Sequence, residues 1–208
     1  MIPMDVLLLF FAASVALAVA PGPDNIFVLT QSAMNGRRSG LIITLGLCTG
    51  LLFHISAVAL GVAAIFKTSV MAFTLLKIAG AGYLLYLAWQ AFRSGTTAVP
   101  APEKQHQGAR TLFARGILMN ITNPKVAIFF LSFLPQFADP THGPIPQQII
   151  LLGMVFIVAA LLVFGLIAWV ASYLSHWLNN SQRGQRIINR VAGTIFVALA
   201  CRLAISEQ

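Results

Sequence analysis

Charged side chains are scarce in this 208-residue sequence. Lysine and arginine together number 13, aspartate and glutamate number 5, and the four types make up 9% of the chain, against about a quarter in soluble proteins. So few charges cannot coat a water-soluble globule, and 58% of the residues are hydrophobic. The composition indicates an integral membrane protein and excludes a separate soluble catalytic domain.

Cysteine and acidic residues are scarcer still. Cys48 and Cys201 both lie in apolar runs, without the paired spacing of a disulfide framework or a zinc site. The formal net charge is +8, and in a membrane protein such an excess marks cytoplasmic loops and contact with anionic lipid. We therefore expect membrane lipid as a partner and no nucleic acid, metal or cofactor.

Six long apolar runs divide the sequence, and each has the roughly 20 residues that a helix needs to cross a bilayer. The predicted spans cover residues 5–35, 40–66, 69–92, 114–135, 147–174 and 187–205. Residues 93–113 are rich in serine, threonine, proline and charge, and they predict a flexible linker. The sequence therefore predicts an all-α integral membrane protein with six transmembrane helices, in three-helix halves at 1–92 and 114–208.

Basic residues are distributed unevenly between the predicted loops. Nine follow the first, third and fifth spans, namely Arg37, Arg38, Arg93, Lys104, Arg110, Arg115, Arg183, Arg186 and Arg190. Two, Lys67 and Arg202, lie on the opposite side. The positive-inside rule then places the linker in the cytoplasm and both termini outside. With three spans in each half, the second half enters the membrane in the opposite sense, which predicts an inverted repeat.

The first span of each half is interrupted by proline. The two interruptions, offset by 101 residues, are Pro21-Gly22-Pro23-Asp24-Asn25 and Asn120-Ile121-Thr122-Asn123-Pro124-Lys125. Proline has no amide proton and clashes with the preceding turn, so each site should end one half-helix and begin another. We predict Pro23 and Pro124 at the first helical position, with Gly22 and Asn123 as the N-caps.

Each interruption carries a charge near the middle of the bilayer. At about 1.5 Å per residue, Asp24 lies roughly 20 Å from Arg37 and Lys125 roughly 15 Å from Arg115. An unpaired charge at that depth costs about 2.5 to more than 10 kcal/mol. Two interpretations remain open: a structural ion pair between Asp24 and Lys125, or a midplane binding site.

In a binding site, Lys125 and the half-helix N-terminus would hold a carboxylate, and Asp24 would hold an ammonium group or a proton. An amino acid satisfies both. The candidate substrate-binding residues are Pro21, Gly22, Pro23, Asp24, Asn25, Asn123, Pro124 and Lys125. His54, in the second span, is either a second proton carrier or a neutral side chain bonded to a carbonyl. Gly46 and Gly50 indicate close helix packing, with a homodimer as the alternative use.

Four ordered blocks resemble the LysE/RhtB family of amino-acid exporters. They are Pro21–Asn25, Gly36–Leu41, Lys77–Leu84 and the stretch from Asn120–Lys125 through Phe133–Phe137. The resemblance implies an inner-membrane secondary transporter that exports amino acids such as lysine, arginine, homoserine, threonine or leucine, energised by the membrane potential or the proton gradient. The family's Pro-Gly-Pro and Asn-Pro-Lys segments match Pro21–Pro23 and Asn123–Lys125, and the family often carries asparagine at the position of Asp24.

The favoured prediction is a proton-driven exporter of neutral amino acids or derivatives such as homoserine, threonine or leucine. A cation or metal exporter is the first alternative, although no cluster of histidine, cysteine and aspartate has ligand spacing. An intramembrane enzyme is the second, but one buried carboxylate without an evident partner base does not supply the required chemistry. We therefore expect no catalytic residues.

Overall fold

The computed structural model describes residues 2–68, 70–93, 108–180 and 182–205. These ranges are helical, without a β-strand. The α-helices are α1 (Met4–Val19), α2 (Pro23–Asn35), α3 (Arg37–Thr68), α4 (Val70–Arg93), α5 (Ala109–Ile121), α6 (Pro124–Ile128), α7 (Ile145–Asn180) and α8 (Gln182–Ile205). A π-helical turn (Phe129–Phe133) and a 3-10 turn (Leu134–Phe137) continue α6, and a second 3-10 turn (Pro140–His142) precedes α7.

Helices occupy each of the six predicted spans, and the first and fourth are bent as the prolines predict. The bend is 62° between α1 and α2, and 49° between α5 and the helix that begins at Pro124. Within the described ranges, two helices, α3 and α7, are long and apolar enough to cross a membrane on their own. If each bent pair is counted as one span, the number of spans rises to four. The six-span inverted arrangement itself stays a prediction.

The local geometry of both breaks confirms the predicted caps. Pro23 and Pro124 are the first residues of α2 and α6, and Gly22 and Asn123 are the N-caps. The Oδ1 atom of Asn123 accepts a hydrogen bond of 3.0 Å from the main-chain N–H of Lys125. Gly22 has no side chain to offer, so α2 begins without such a cap.

Most of the predicted linker, 94–107, lies outside the described residues. Its last part is already helical, because α5 begins at Ala109 rather than near residue 114. Leu112, in the added first turn, is fully buried. The burial of this side chain favours continuation of the helix beyond the apolar run that marked the span.

α3 packs most closely against α5 and α7, while α4 packs against α8, and α1 and α2 pack against α7. Two glycines allow the close approach of α3 and α5. A Cβ atom on Gly46 would overlap the main-chain oxygen of Phe113, and one on Gly116 would lie 2.6 Å from the main-chain oxygen of Ile43. The glycine pattern of α3 therefore serves packing within the chain.

Replacing Gly116 with alanine is expected to destabilise the protein by about 1 to 3 kcal/mol, because the added methyl group must push two main chains apart. The measurement is the midpoint of thermal unfolding in detergent. Gly165→Ala on α7 is the matched control, since its Cβ would have no neighbour within 4 Å. Equal midpoints for the two variants would contradict the assigned helix contact.

Phenylalanine rings fill the segment beyond α6. Phe129 and Phe133 have ring centroids 4.8 Å apart, and Phe129 also lies 5.5 Å from Phe156 of α7. Phe10 of α1 packs edge-on against Phe137 at 5.1 Å. This aromatic cluster joins α1, α7 and the second broken helix on the side of the breaks away from Arg115.

Candidate functional site

The two helix breaks meet in the interior. Asp24, in the first turn of α2, is 2% exposed, and Asn120, in the last turn of α5, is 1% exposed. The Nδ2 atom of Asn120 donates to the Oδ2 atom of Asp24 over 3.4 Å. The structure thus brings together two motifs that are 96 residues apart in the sequence.

Lys125 binds the end of α1. Its Nζ atom donates to the main-chain oxygens of Ala20 at 2.8 Å and Leu17 at 3.1 Å, and the Nδ2 atom of Asn25 donates to that of Ala18 at 2.6 Å. The last carbonyls of a helix have no partner within the helix, and in a bilayer an unsatisfied carbonyl costs several kcal/mol. Lys125 and Asn25 therefore satisfy three of the carbonyls that the break at Pro21–Pro23 leaves open.

The second break also receives a hydrogen bond from the first half of the chain. The Nε2 atom of His54, on α3, lies 3.2 Å from the main-chain oxygen of Asn120. A carbonyl oxygen only accepts, so Nε2 carries the proton in this bond. The His54 ring packs beside Phe53 and Phe130, with centroids 5.8 and 5.7 Å away. This contact is the carbonyl bond named as one of the two alternatives for His54.

Asp24 and Lys125 lie in the described part of the chain, and their charged atoms form no direct ion pair there. Both instead line a small cavity together with Asn120. The cavity volume is about 10 Å³, which accommodates about one water molecule. The arrangement leaves the two opposite charges near each other, with neither neutralised by direct contact.

Four buried polar atoms at the breaks lack a hydrogen-bond partner in the structure. Three are acceptors, the Oδ1 atoms of Asp24, Asn25 and Asn120, and one is a donor, the Nδ2 atom of Asn123. A buried polar group without a partner costs about 1 to 3 kcal/mol, so their concentration at one place is unusual for a purely structural element. The unpartnered acceptors match a ligand that donates several hydrogen bonds.

Not every predicted site residue faces the cavity. Pro21, Pro23 and Pro124 are exposed, and their contribution is to break the helices. Gly22 lies against the lysine, since a Cβ there would be 3.0 Å from the Nζ atom of Lys125.

Sequence reasoning missed Asn120 as a site residue, and it missed the apolar cavity walls. Leu17, Phe156 and Phe164 form part of those walls. Asn120 lies in the second interruption, and its signal was a polar amide beside a broken helix. The apolar residues gave no signal, because they resemble any other packed residue of a span.

Long apolar helices, two bent helix pairs and buried charges at the bends define a multi-pass membrane protein. A family model described as "LysE type translocator" matches residues 15–207. The chain belongs to this family.

Named relatives align along most of their length. A homoserine/homoserine lactone efflux protein of Salmonella typhimurium is 32% identical, over 94% of each chain. A leucine efflux protein of Salmonella choleraesuis is 25% identical, over 94% of this chain and 92% of its own. The membrane protein YrhP of Bacillus subtilis is 29% identical, over 98% and 100% respectively. No solved structure gives a significant match. The family and these names point to a transporter rather than an enzyme.

Proposed function

We propose that the chain is a secondary active transporter that exports amino acids across the inner membrane, driven by the proton motive force. The family supports transport, and relatives named for homoserine and leucine efflux support amino acids as the substrate. Both named amino acids are neutral overall. We extend the proposal to neutral amino acids and close derivatives.

The proposed topology has six spans in two inverted halves, 1–92 and 114–208, joined by a cytoplasmic linker at 93–113, with both termini in the periplasm. Helices in each predicted span and the nine-to-two distribution of basic residues support it. In this topology the breaks lie near the bilayer midplane, where broken helices of secondary transporters bind substrate.

The observation that carries the proposal is the buried carboxylate of Asp24. Its Oδ1 atom has no partner, and the Oδ1 atoms of Asn25 and Asn120 are also free to accept. An ammonium group has three donors, and a charge-assisted bond to a carboxylate is about twice as strong as a neutral one. We assign the substrate ammonium group to Asp24, with the two amide oxygens as further acceptors.

The substrate carboxylate needs hydrogen-bond donors near the ammonium site at Asp24. Lys125 uses two of its three ammonium hydrogens on Leu17 and Ala20, which leaves one for a carboxylate. The Nδ2 atom of Asn123 is a second donor without a partner. The proposal therefore keeps Lys125 and Asn123 as carboxylate ligands and gives Lys125 the additional function of capping α1.

An amino acid does not fit in the present cavity, which holds about one water molecule. Binding therefore requires the broken helices to separate. The bends at Pro23 and Pro124 provide hinges, because the main chain there lacks the hydrogen bonds of a continuous helix. Movement at these hinges would open the cavity to one side of the membrane at a time.

Proton coupling is assigned to Asp24, and also to His54, which donates to the Asn120 carbonyl through Nε2 and would take up a proton at its other ring nitrogen, Nδ1. Asn120 connects them, since its side chain donates to Asp24 and its main-chain oxygen accepts from His54. Binding of a proton or a substrate ammonium group at Asp24, but not both, would give an exchange of protons for amino acid. One charge moved through 100 mV is worth about 2.3 kcal/mol, which is sufficient to drive substantial export.

Counterflow in proteoliposomes tests the proposed function. Vesicles are preloaded with one unlabelled amino acid at a time, and uptake of its labelled form is followed with and without an imposed pH gradient. We expect accelerated uptake for a subset of neutral amino acids, including leucine or homoserine. Folded protein that shows no counterflow with any amino acid would contradict the proposal and favour cations or other metabolites.

A further inference from the structure

A groove of about 430 Å³ runs between α2 and α5, outside the small cavity. Its walls include Phe27 of α2 and both Leu118 and Met119 of α5. Arg115 also lines it, about 10 Å from Thr122 along α5 at about 1.5 Å per residue. The volume falls within the range of about 300 to 1,000 Å³ that is typical of small-molecule sites.

The groove and the inner cavity lie on two sides of the same main-chain segments. Neighbouring residues divide between them, the first of each pair lining the groove and the second the cavity: Pro23 and Asp24, Met119 and Asn120, and Pro124 and Lys125. The groove and the cavity therefore border the same short segments at both breaks. Movement at the proline hinges would join them.

We propose that this groove is the cytoplasmic entrance to the inner cavity and that it favours amino acids with a free carboxylate and an apolar side chain. This inference rests on the proposed function. The guanidinium of Arg115 complements a carboxylate at the mouth, and Phe27, Leu118 and Met119 form an apolar surface for the side chain. Asn123 also lines the groove, but its Nδ2 atom is buried, so this second donor for the carboxylate becomes available only when the breaks separate.

A phospholipid tail is a less suitable occupant of the groove. With its headgroup at Arg115, the tail would end against the amide of Asn123 near the bilayer midplane. When the breaks separate, the uncovered amide would face a tail that cannot accept its hydrogen bond, which is costly. An amino acid instead brings polar groups to this end.

The test compares leucine with leucinamide, which lacks the carboxylate, in inside-out membrane vesicles and right-side-out vesicles. Leu118→Trp fills the groove and is expected to raise the half-saturating leucine concentration at least about tenfold from the cytoplasmic face, with little change from the other face. Arg115→Gln is expected to reduce the preference for leucine over leucinamide by about fivefold. Ile150→Trp on α7 and Arg110→Gln on α5 are the matched controls, since both residues lie outside the groove.

The outcomes separate the entrance from the proposed function. If the wild type transports leucine and the groove variants behave like their controls, the entrance proposal is wrong and the proposed export function stands. Loss of co-purified phospholipid in Leu118→Trp with unchanged transport would also overturn it, in favour of a lipid site. Absence of amino-acid transport by the wild type would overturn both. If Leu118→Trp does not fold, Arg115→Gln decides alone, because that side chain is exposed.

Discussion

Replacing Lys125 with methionine is expected to lower the unfolding free energy by about 2 to 5 kcal/mol and to abolish counterflow. Methionine has nearly the same length but removes both hydrogen bonds to Ala20 and Leu17. Each buried carbonyl left without a donor costs about 1 to 3 kcal/mol. The change also removes the nearby positive charge from Asp24, and an uncompensated buried charge is strongly destabilising. Thermal unfolding in detergent measures the first effect, and proteoliposome counterflow measures the second.

Two further variants separate these causes. Lys125→Arg keeps the charge and several donors, so it should retain more stability than Lys125→Met. The double variant Lys125→Met with Asp24→Asn removes the isolated carboxylate, so it should recover part of the lost stability but no transport. A Lys125→Met protein as stable as the wild type would contradict the capping of α1.

Asp24→Asn is expected to reduce counterflow at least about 30-fold while leaving the fold intact, because Lys125 keeps its hydrogen bonds to Ala20 and Leu17. Asparagine keeps the shape and can still accept from Asn120, but it cannot neutralise a substrate ammonium group or carry a proton. Loss of one member of a buried charge pair between ligand and protein costs about 2 to 5 kcal/mol, and about 1.4 kcal/mol corresponds to a factor of ten. The measurement is the rate of leucine counterflow together with the proton movement that accompanies it.

Asp139→Asn is the matched control, because the Asp139 side chain is about half exposed in the loop before α7 and accepts from Thr141 there. Its transport should equal that of the wild type. Counterflow and proton coupling that survive Asp24→Asn would exclude Asp24 as the ammonium ligand and the proton carrier. The candidate site would then reduce to the donors Lys125 and Asn123.

The helix breaks could be predicted from the sequence because proline acts locally. Pro23 and Pro124 cannot donate a main-chain hydrogen bond, so the break and its N-cap follow from a few adjacent residues. The apolar runs likewise predicted where helices lie, since the bilayer fixes their length. The end of α5 near the linker was less predictable, because there a single buried leucine, Leu112, extends the helix beyond the apolar run.

The partner of Lys125 could not be predicted in the same way. Opposite charge suggested Asp24, but the lysine binds main-chain oxygens of α1, and every residue in a sequence carries such an oxygen. The selection comes from three-dimensional geometry, namely which helix end is open and how close Gly22 allows the ammonium group to approach. The contribution of Asn120 was hidden for a related reason, because it acts through both its side chain and its main chain.

Each break is bonded by a side chain from the other half of the chain, Lys125 at the first and His54 at the second. This arrangement affects biosynthesis. The first broken helix leaves the ribosome long before Lys125 is made, so the carbonyls of Leu17 and Ala20 enter the membrane without their later donor. His54, by contrast, is already in place when Asn120 is synthesised. The N-terminal half should therefore remain sensitive to proteolysis in the membrane until the second broken helix arrives. Truncation after residue 92 should produce a fragment that is inserted but rapidly degraded, and co-expression of residues 93–208 should protect it.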